Sequence, residues 1–344
     1  MYINKHLEMF KKDMKEQPAK ENLLVCLSFI LSDSRCMNEC FILTESLNDG
    51  GIIMTVIIQN DQLIAEIAEH GAELISLKSK ETNLEYIWQA DPEYWGRHAP
   101  VLFPFVGRLK DDQYTYQGKT YSMGQHGFAR DMDFEVIEHG QELASFVLRS
   151  TPETKKNYPF DFELVISYEL GGDGITVHYQ VANTGEEEMF FSIGGHPAFN
   201  VPLEEGLTFD DFYLAFSPKK SRLRLPLKGP YIDMDQRTLG QTNTNLALMR
   251  ELFENDALVF ETKELNAYAI RSEKSSHSIT LSYKDMPYVG IWSPYPKEAP
   301  FVCIEPWCGI ADTVDSSGHL MEKVGINQLG AHEIFKTKYS ITVK

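Results

Sequence analysis

From Thr55 onward, apolar and polar residues alternate with the two-residue period of a β-strand, and Gly, Pro, Asn and Asp punctuate the alternation. Asp161 to Leu170 puts Phe162, Leu164, Ile166, Tyr168 and Leu170 on one face. After Gly171-Gly172-Asp173-Gly174 the pattern resumes with Ile175, Val177, Tyr179 and Val181, which predicts a hairpin. A second hairpin is predicted over Tyr114 to Tyr121, turning at Gln117-Gly118-Lys119. Further strands are predicted over Thr208 to Phe216, Ala257 to Thr262, Ala267 to Arg271, Ser278 to Tyr283, Tyr288 to Ser293 and Phe301 to Glu305. The best helical segment is Leu246 to Phe253. So many strands without a βαβ rhythm imply large antiparallel sheets packed face to face, an all-β sandwich occupying residues 54–344 as one domain.

Residues 1–53 follow a different pattern. They mix Lys, Glu and Asn with three of the five cysteines and lack the turn-punctuated alternation. Gly50-Gly51 can be encoded by a purine run of the ribosome-binding type two codons before Met54, so one expectation is a translated leader ahead of a start at Met54. A genuine N-terminal extension is the competing expectation.

Composition narrows the function. The formal net charge of -18 argues against nucleic acid and anionic membranes as partners, because both require a basic footprint. The five cysteines, Cys26, Cys36, Cys40, Cys303 and Cys308, have no paired CxxC spacing, which argues against a disulfide scaffold or a zinc site. Reduced thiols fit the cytoplasm. The longest apolar candidate, Leu23 to Leu31, is too short for a membrane span, and Asp13, Glu16 and Glu21 interrupt any secretory pattern.

Three short segments carry candidate chemistry. Ser192 to Asn200 places His196 between Gly194-Gly195 and Pro197, at the end of the apolar run from Met189 to Ile193. An imidazole at a strand end titrates near neutral pH and can exchange protons with a bound molecule; capping a turn is the structural alternative. Gly124-Gln125-His126-Gly127 brings a second histidine in a turn. Cys303-Ile304-Glu305-Pro306-Trp307 brings a carboxylate that closes a strand within apolar flanks, where a charge is costly unless it has partners or a task. Two imidazoles, one carboxylate and nearby aromatics suit a neutral, polyhydroxylated ligand. Arg108, beside the apolar run Phe103 to Gly107, serves either a ligand or an ion pair with Asp111 or Asp112.

In order along the chain stand Phe105-Val106-Gly107-Arg108-Leu109, Gln125-His126-Gly127, Gly195-His196-Pro197-Ala198-Phe199-Asn200, Asn255-Asp256-Ala257 and Ile304-Glu305-Pro306. This ordered set, spanning Val56 to the C-terminus, resembles the aldose 1-epimerases, the galactose mutarotase-like proteins, and most closely their LacX-type branch. The resemblance implies a β-supersandwich that interconverts the α and β anomers of an aldose without metal or organic cofactor. It implies His196 as the acid that protonates the ring oxygen and Glu305 as the base that takes the anomeric hydroxyl proton. Arg108, His126 and Asp256 would hold sugar hydroxyls. Trp307 offers an apolar face to a sugar ring, while Trp292 is expected to pack in the core; Trp95, Arg97, His98 and Arg130 are secondary candidates.

Ring opening needs one proton removed at O1 and one delivered at O5, so acid and base are expected on different sides of the ring, kept apart by the fold. Pro197-Ala198-Phe199 and Trp307-Cys308 depart from the residues of well-studied galactose mutarotases, so the resemblance does not carry galactose over as substrate. Two other functions remain open: a hexose-6-phosphate 1-epimerase, with Arg97, Arg108 and Arg130 as a phosphate clamp, and a non-catalytic sugar-binding or sensing protein. A glycosidase would need a second flanking carboxylate in comparable context. The expected partner is a small-molecule aldose, and the chain would act as a monomer or a homodimer.

Overall fold

The computed structural model describes residues 43–48 and 51–344, with side chains from Met54 onward. The expected leader or extension over residues 1–53 falls mostly outside the described residues. Within them, the strand Gly51–Gln59 runs across Met54 and pairs with Leu43–Asn48 on one edge and Leu63–Ala68 on the other.

Two large antiparallel sheets dominate, as the alternation predicts. A nine-stranded sheet runs from Leu246–Ala247 at one edge to Glu135–His139 at the other. At its centre lie Ile334–Val343, Gly174–Asn183 and Phe162–Gly171. The predicted hairpin forms in register, with Phe162 opposite Asn183 and Gly171 opposite Gly174. The second sheet has eight strands, with Tyr288–Trp292, Phe301–Cys308 and Ile193–Gly195 side by side. Phe162, Leu164, Ile166, Val177 and Tyr179 from the first sheet share one buried cluster with Val289, Ile291, Val302 and Ile304 from the second. Each such side chain removed from water contributes about 1.5–3 kcal/mol before the entropy of ordering it is subtracted.

Two predicted elements differ. Leu246 to Phe253 is a two-residue strand, Leu246–Ala247, followed by one 3-10 turn, Arg250–Phe253. Leu246 pairs opposite Leu214, Leu248 is fully buried and Met249 is exposed, so local burial follows a two-residue period that competes with the helical one. Thr208 to Phe216 begins with a 3-10 turn, Phe209–Asp211, before the strand Tyr213–Ser217. The Thr208 backbone N–H and hydroxyl both donate to Asp211 Oδ2, at 2.9 and 3.1 Å, closing a local turn that alternation alone does not show.

The strand Phe301–Cys308 positions the site. Its alternate residues Val302, Ile304 and Cys308 enter the main core, leaving Phe301, Cys303, Glu305 and Trp307 on the opposite face. Glu305 was expected to close this strand; it is the fifth of eight strand residues, and Pro306 does not end the strand. The Ile304 N–H donates to Pro197 O at 3.3 Å, so the missing donor of Pro306 would face the same neighbour two residues on. There the neighbour is interrupted: Ile193–Gly195 and Ala198–Asn200 both pair with Phe301–Cys308, and His196-Pro197 lie between them. By register Pro306 falls opposite Gly195, just before that break, and Gly195 pairs with Val101 rather than with this strand, so the missing N–H leaves no ladder bond unmade.

Candidate active site

His196 leaves the sheet at the break, with its backbone N–H donating to Pro100 O at 3.1 Å. Its Nε2 stands 3.1 Å from Glu305 Oε2. The expected acid and base are therefore in direct contact; the expectation that the fold holds them apart is corrected. Adjacent strands of one sheet bring them together, and no element comes between. Both are nearly sealed from water, their side chains 9% and 2% exposed.

Burial dominates the electrostatics. Loss of solvent drives the Glu305 carboxyl well above its ordinary range, and the negative charge of Asp256 pushes it further. The Trp307 indole N–H is close enough to oppose that rise, although it makes no hydrogen bond of standard geometry. Burial drives His196 down to about 3, with Arg130 and Arg97 adding repulsion and a backbone hydrogen bond opposing. The two shifts act in the same sense, favouring a neutral carboxyl and a neutral imidazole over the carboxylate and imidazolium pair.

His126 lies edge-on to His196, with ring centroids 5.6 Å apart. Its Nδ1 accepts a hydrogen bond from the Gly107 N–H at 3.0 Å, and its own N–H donates back to Gly107 O at 2.9 Å. Burial holds this imidazole well below its ordinary pKa, followed by repulsion from His196, Arg130, Arg97 and Arg108. The other ring nitrogen, Nε2, stands 3.3 Å from the Gln125 side-chain amide nitrogen. This clasp requires Gly107 and Gly127. Both have positive φ, and a Cβ at Gly127 would lie 2.3 Å from Phe103 O. Gly127→Ala is therefore expected to destabilise the fold by about 2–4 kcal/mol, read as a lowered midpoint in urea unfolding; an unchanged midpoint would refute the clasp.

Arg108 Nε stands 3.5 Å from Asp112 Oδ1, the ion pair considered as its alternative, yet its charge also reaches His126. Arg97 donates to Asp131 at 2.7 Å, and Arg130 donates to Gln125 O at 2.8 Å. Burial and repulsion by Arg97 lower Arg130 to about 10. Asp256 adopts φ +69 and accepts the Ala257 N–H at 2.8 Å; its charge is felt at Glu305. His98 is drawn away by Glu73, which accepts its backbone N–H at 2.8 Å.

The aromatic side chains differ in exposure. Trp307 packs between Gly194 and Gly290, where a Cβ would lie 2.6 and 2.4 Å from the indole, and it is 6% exposed. It therefore lies largely buried on the same face of its strand as Glu305. Trp95 stacks on His196, with centroids 4.8 Å apart, and Trp292 meets it edge-on at 5.8 Å. Both are partly exposed, so Trp292 is a site-facing ring and not the core residue expected.

One concavity, of about 740 Å³, lies against the nine-stranded sheet and is lined by neither His196 nor Glu305. A smaller one of about 350 Å³ is lined by Arg108, Gln125 and Gly127 beside the pair. His196 and Glu305 line neither cavity; we assign the site to the neighbourhood of the latter because Arg108 lines it and bears on His126, which meets His196 edge-on. Sequence reasoning missed this convergence of Arg97 and Arg130 on His126, which requires three loops to meet. It also missed the alignment of Cys303 with Glu305, which the two-residue period of Phe301 to Trp307 does contain.

The family model for aldose 1-epimerase matches residues 54–330. The chromosomal protein LacX of Lactococcus lactis subsp. lactis is 34% identical over 300 residues, covering 84% of this chain and 99% of that protein. A galactose mutarotase related enzyme from Lactobacillus acidophilus, known from its crystal structure, is 46% identical, with a TM-score of 0.84 over 85% of this chain and 97% of its own. A Salmonella typhimurium protein named provisionally as a glucose-6-phosphate 1-epimerase is 25% identical over 152 residues, 40% of this chain and 48% of that protein. With its two-sheet β-sandwich and the ordered histidine and glutamate motifs, the chain belongs to the aldose 1-epimerase family.

Proposed function

We propose that the chain interconverts the α and β anomers of a hexose by ring opening and reclosure. The observation that carries this reading is the buried contact of His196 with Glu305, an acid and a base within hydrogen-bond reach of each other and nearly sealed from solvent. With a sugar between them, His196 delivers a proton to O5 while Glu305 accepts the O1 proton; the C1–O5 bond breaks and C1 becomes a carbonyl. Rotation about C1–C2 exposes the other face, and the same transfers run backward to close the ring. For His196 to act as donor, the carboxyl proton must first cross to the imidazole, a movement the 3.1 Å contact permits. His126 and Arg108 hold hydroxyls, and Asp256 bounds the carboxylate side. Polarimetry on freshly dissolved α-glucose and α-galactose tests the reading: wild type is expected to hasten anomerisation, and His196→Ala is not. Binding of sugar without any acceleration would replace it with the sensing reading.

A specific observation favours a phosphorylated hexose as a second reading. Arg97, Arg108 and Arg130 all bear electrostatically on His126, and the buried Nε atoms of Arg108 and Arg130 make no hydrogen bond of standard geometry, standing 3.5 Å from Asp112 Oδ1 and 3.8 Å from Asp131 Oδ2. Such guanidinium donors suit a dianion. The two readings separate on Arg130→Met. A phosphate substrate predicts that KM for a hexose 6-phosphate rises by about tenfold or more, as expected when one charge-assisted contact is lost, while the neutral hexose is unaffected. Equal effects on both sugars would leave the neutral hexose as substrate.

A further inference from the structure

Cys303 has no part in the proton transfers above, yet it lies on the same face of its strand as Glu305, two residues away. One donor atom each from His196, Cys303 and Glu305 lies within 4.8 Å of the others, and all three residues are buried. The Cys303 thiol is free, and the buried His196 Nδ1 has no hydrogen-bond partner. We propose that His196, Cys303 and Glu305 form a site for a borderline-soft divalent transition-metal ion, Zn²⁺ in the first instance, whose occupancy blocks the acid–base pair.

The donor chemistry selects the ion. One imidazole nitrogen, one thiolate sulfur and one carboxylate oxygen match Zn²⁺ and disfavour Mg²⁺ and Ca²⁺, which take oxygen ligands. Zinc bonds of about 2.0–2.3 Å in a tetrahedron place donors about 3.3–3.8 Å apart, so the three side chains need to close by about 1 Å. Three protein ligands leave a fourth position for water or a sugar hydroxyl. On binding, the thiol coordinates as thiolate and Glu305 as carboxylate, so the thiol proton and the proton held between Glu305 and His196 both pass to solvent; no oxidation or reduction occurs. The spacing of the cysteines along the chain argued against zinc because this site takes a single cysteine and completes its donor set from two other residue types.

Metal binding stands independently of the proposed reaction, whereas the blocking of anomerisation rests on that reading. The test is titration of the full chain with Co²⁺ as a spectroscopic substitute. A thiolate-to-cobalt charge-transfer band is expected in wild type and in Cys308→Ser, and is expected to be lost in Cys303→Ser and Cys303→Ala. The cysteines at 26, 36 and 40 are present in every variant, so loss of the band assigns it to Cys303. X-ray absorption on the wild-type zinc complex gives a readout that needs no variant: one sulfur at about 2.3 Å beside nitrogen and oxygen is expected. A wild-type spectrum without the band, a band surviving Cys303→Ala, or a zinc shell without sulfur overturns the site. In the activity arm, Zn²⁺ is expected to inhibit wild type reversibly with chelator, and Cys303→Ala is expected to require about tenfold more or higher. Charge transfer without inhibition keeps the site and refutes the blocking. Lack of anomerisation in the metal-free protein counts against the proposed function alone.

Discussion

Glu305→Gln is expected to lower the rate of anomerisation by about 10²–10⁴-fold while leaving KM and the fold nearly unchanged, because glutamine keeps the shape and hydrogen bonding of the carboxyl but cannot exchange the proton. Progress curves by polarimetry or NMR exchange check this; a loss below about threefold would remove Glu305 from the chemistry. The pH profile adds a second reading. Wild type needs one proton on the pair, so activity is expected to fall as pH rises through the elevated Glu305 pKa, whereas the acid limb lies near the depressed His196 value of about 3. Stability follows by linkage. The folded Glu305 binds a proton more tightly than the unfolded chain, so its contribution is present at low pH and lost as pH rises through the folded pKa. His196 works in the opposite sense, its contribution present above about 6.5 and lost as pH falls toward about 3. Glu305→Gln removes the first effect only. The variant is therefore expected to become more stable than wild type as pH rises, with the difference disappearing in mild acid; parallel stability curves would show that Glu305 is not shifted.

Asp312→Ala is expected to be the most damaging single change to stability outside the site. Lys323 and Asp312 form a buried ion pair at 2.9 Å, with side chains 3% and 4% exposed, and Lys323 also donates to Ile310 O at 2.8 Å. The other Asp312 oxygen accepts the Lys110 N–H at 2.9 Å, and the Asp312 backbone N–H donates to Arg108 O at 2.9 Å. Removing the carboxylate strands a buried ammonium, which costs about 3–5 kcal/mol and lowers Tm by roughly 5–10 °C. Calorimetry checks the loss. The double variant Asp312→Leu with Lys323→Met is expected to recover most of it, since it leaves no charge unpaired. If the single and double variants lose equally, packing rather than charge accounts for the effect. The single variant also frees the Lys110 N–H from its carboxylate partner, while the backbone bond from Asp312 N–H to Arg108 O is kept.

The strands and their pairing were legible in the chain because burial on one face writes itself directly into alternation, as in Phe162 to Leu170. The short turns were less so: Thr208 and Asp211 close theirs through side-chain bonds that depend on a three-residue spacing, and Leu246 to Phe253 satisfies helical and strand periods together. At the site, the ordered motifs named His196 and Glu305. They could not give the distance between them, which depends on the strand break after Gly195. They also could not give the packing of Trp307, since its environment is set by Gly194 and Gly290 on two other strands. The cationic surroundings of His126 were beyond reach for the same reason: Arg97, Arg108 and Arg130 meet only after three separate loops have folded.

The 3.1 Å contact between His196 and Glu305 also makes the protein its own competitor for substrate. Any sugar that enters between these groups must first replace a hydrogen bond worth about 0.5–1.5 kcal/mol, equivalent to about a twofold to tenfold weaker Kd. That cost falls on the bound ground state and vanishes once the sugar hydroxyls have taken over both partners. On the proposed reaction, the site is thereby biased toward weak retention of either anomer, which favours release where substrate and product differ only at one carbon.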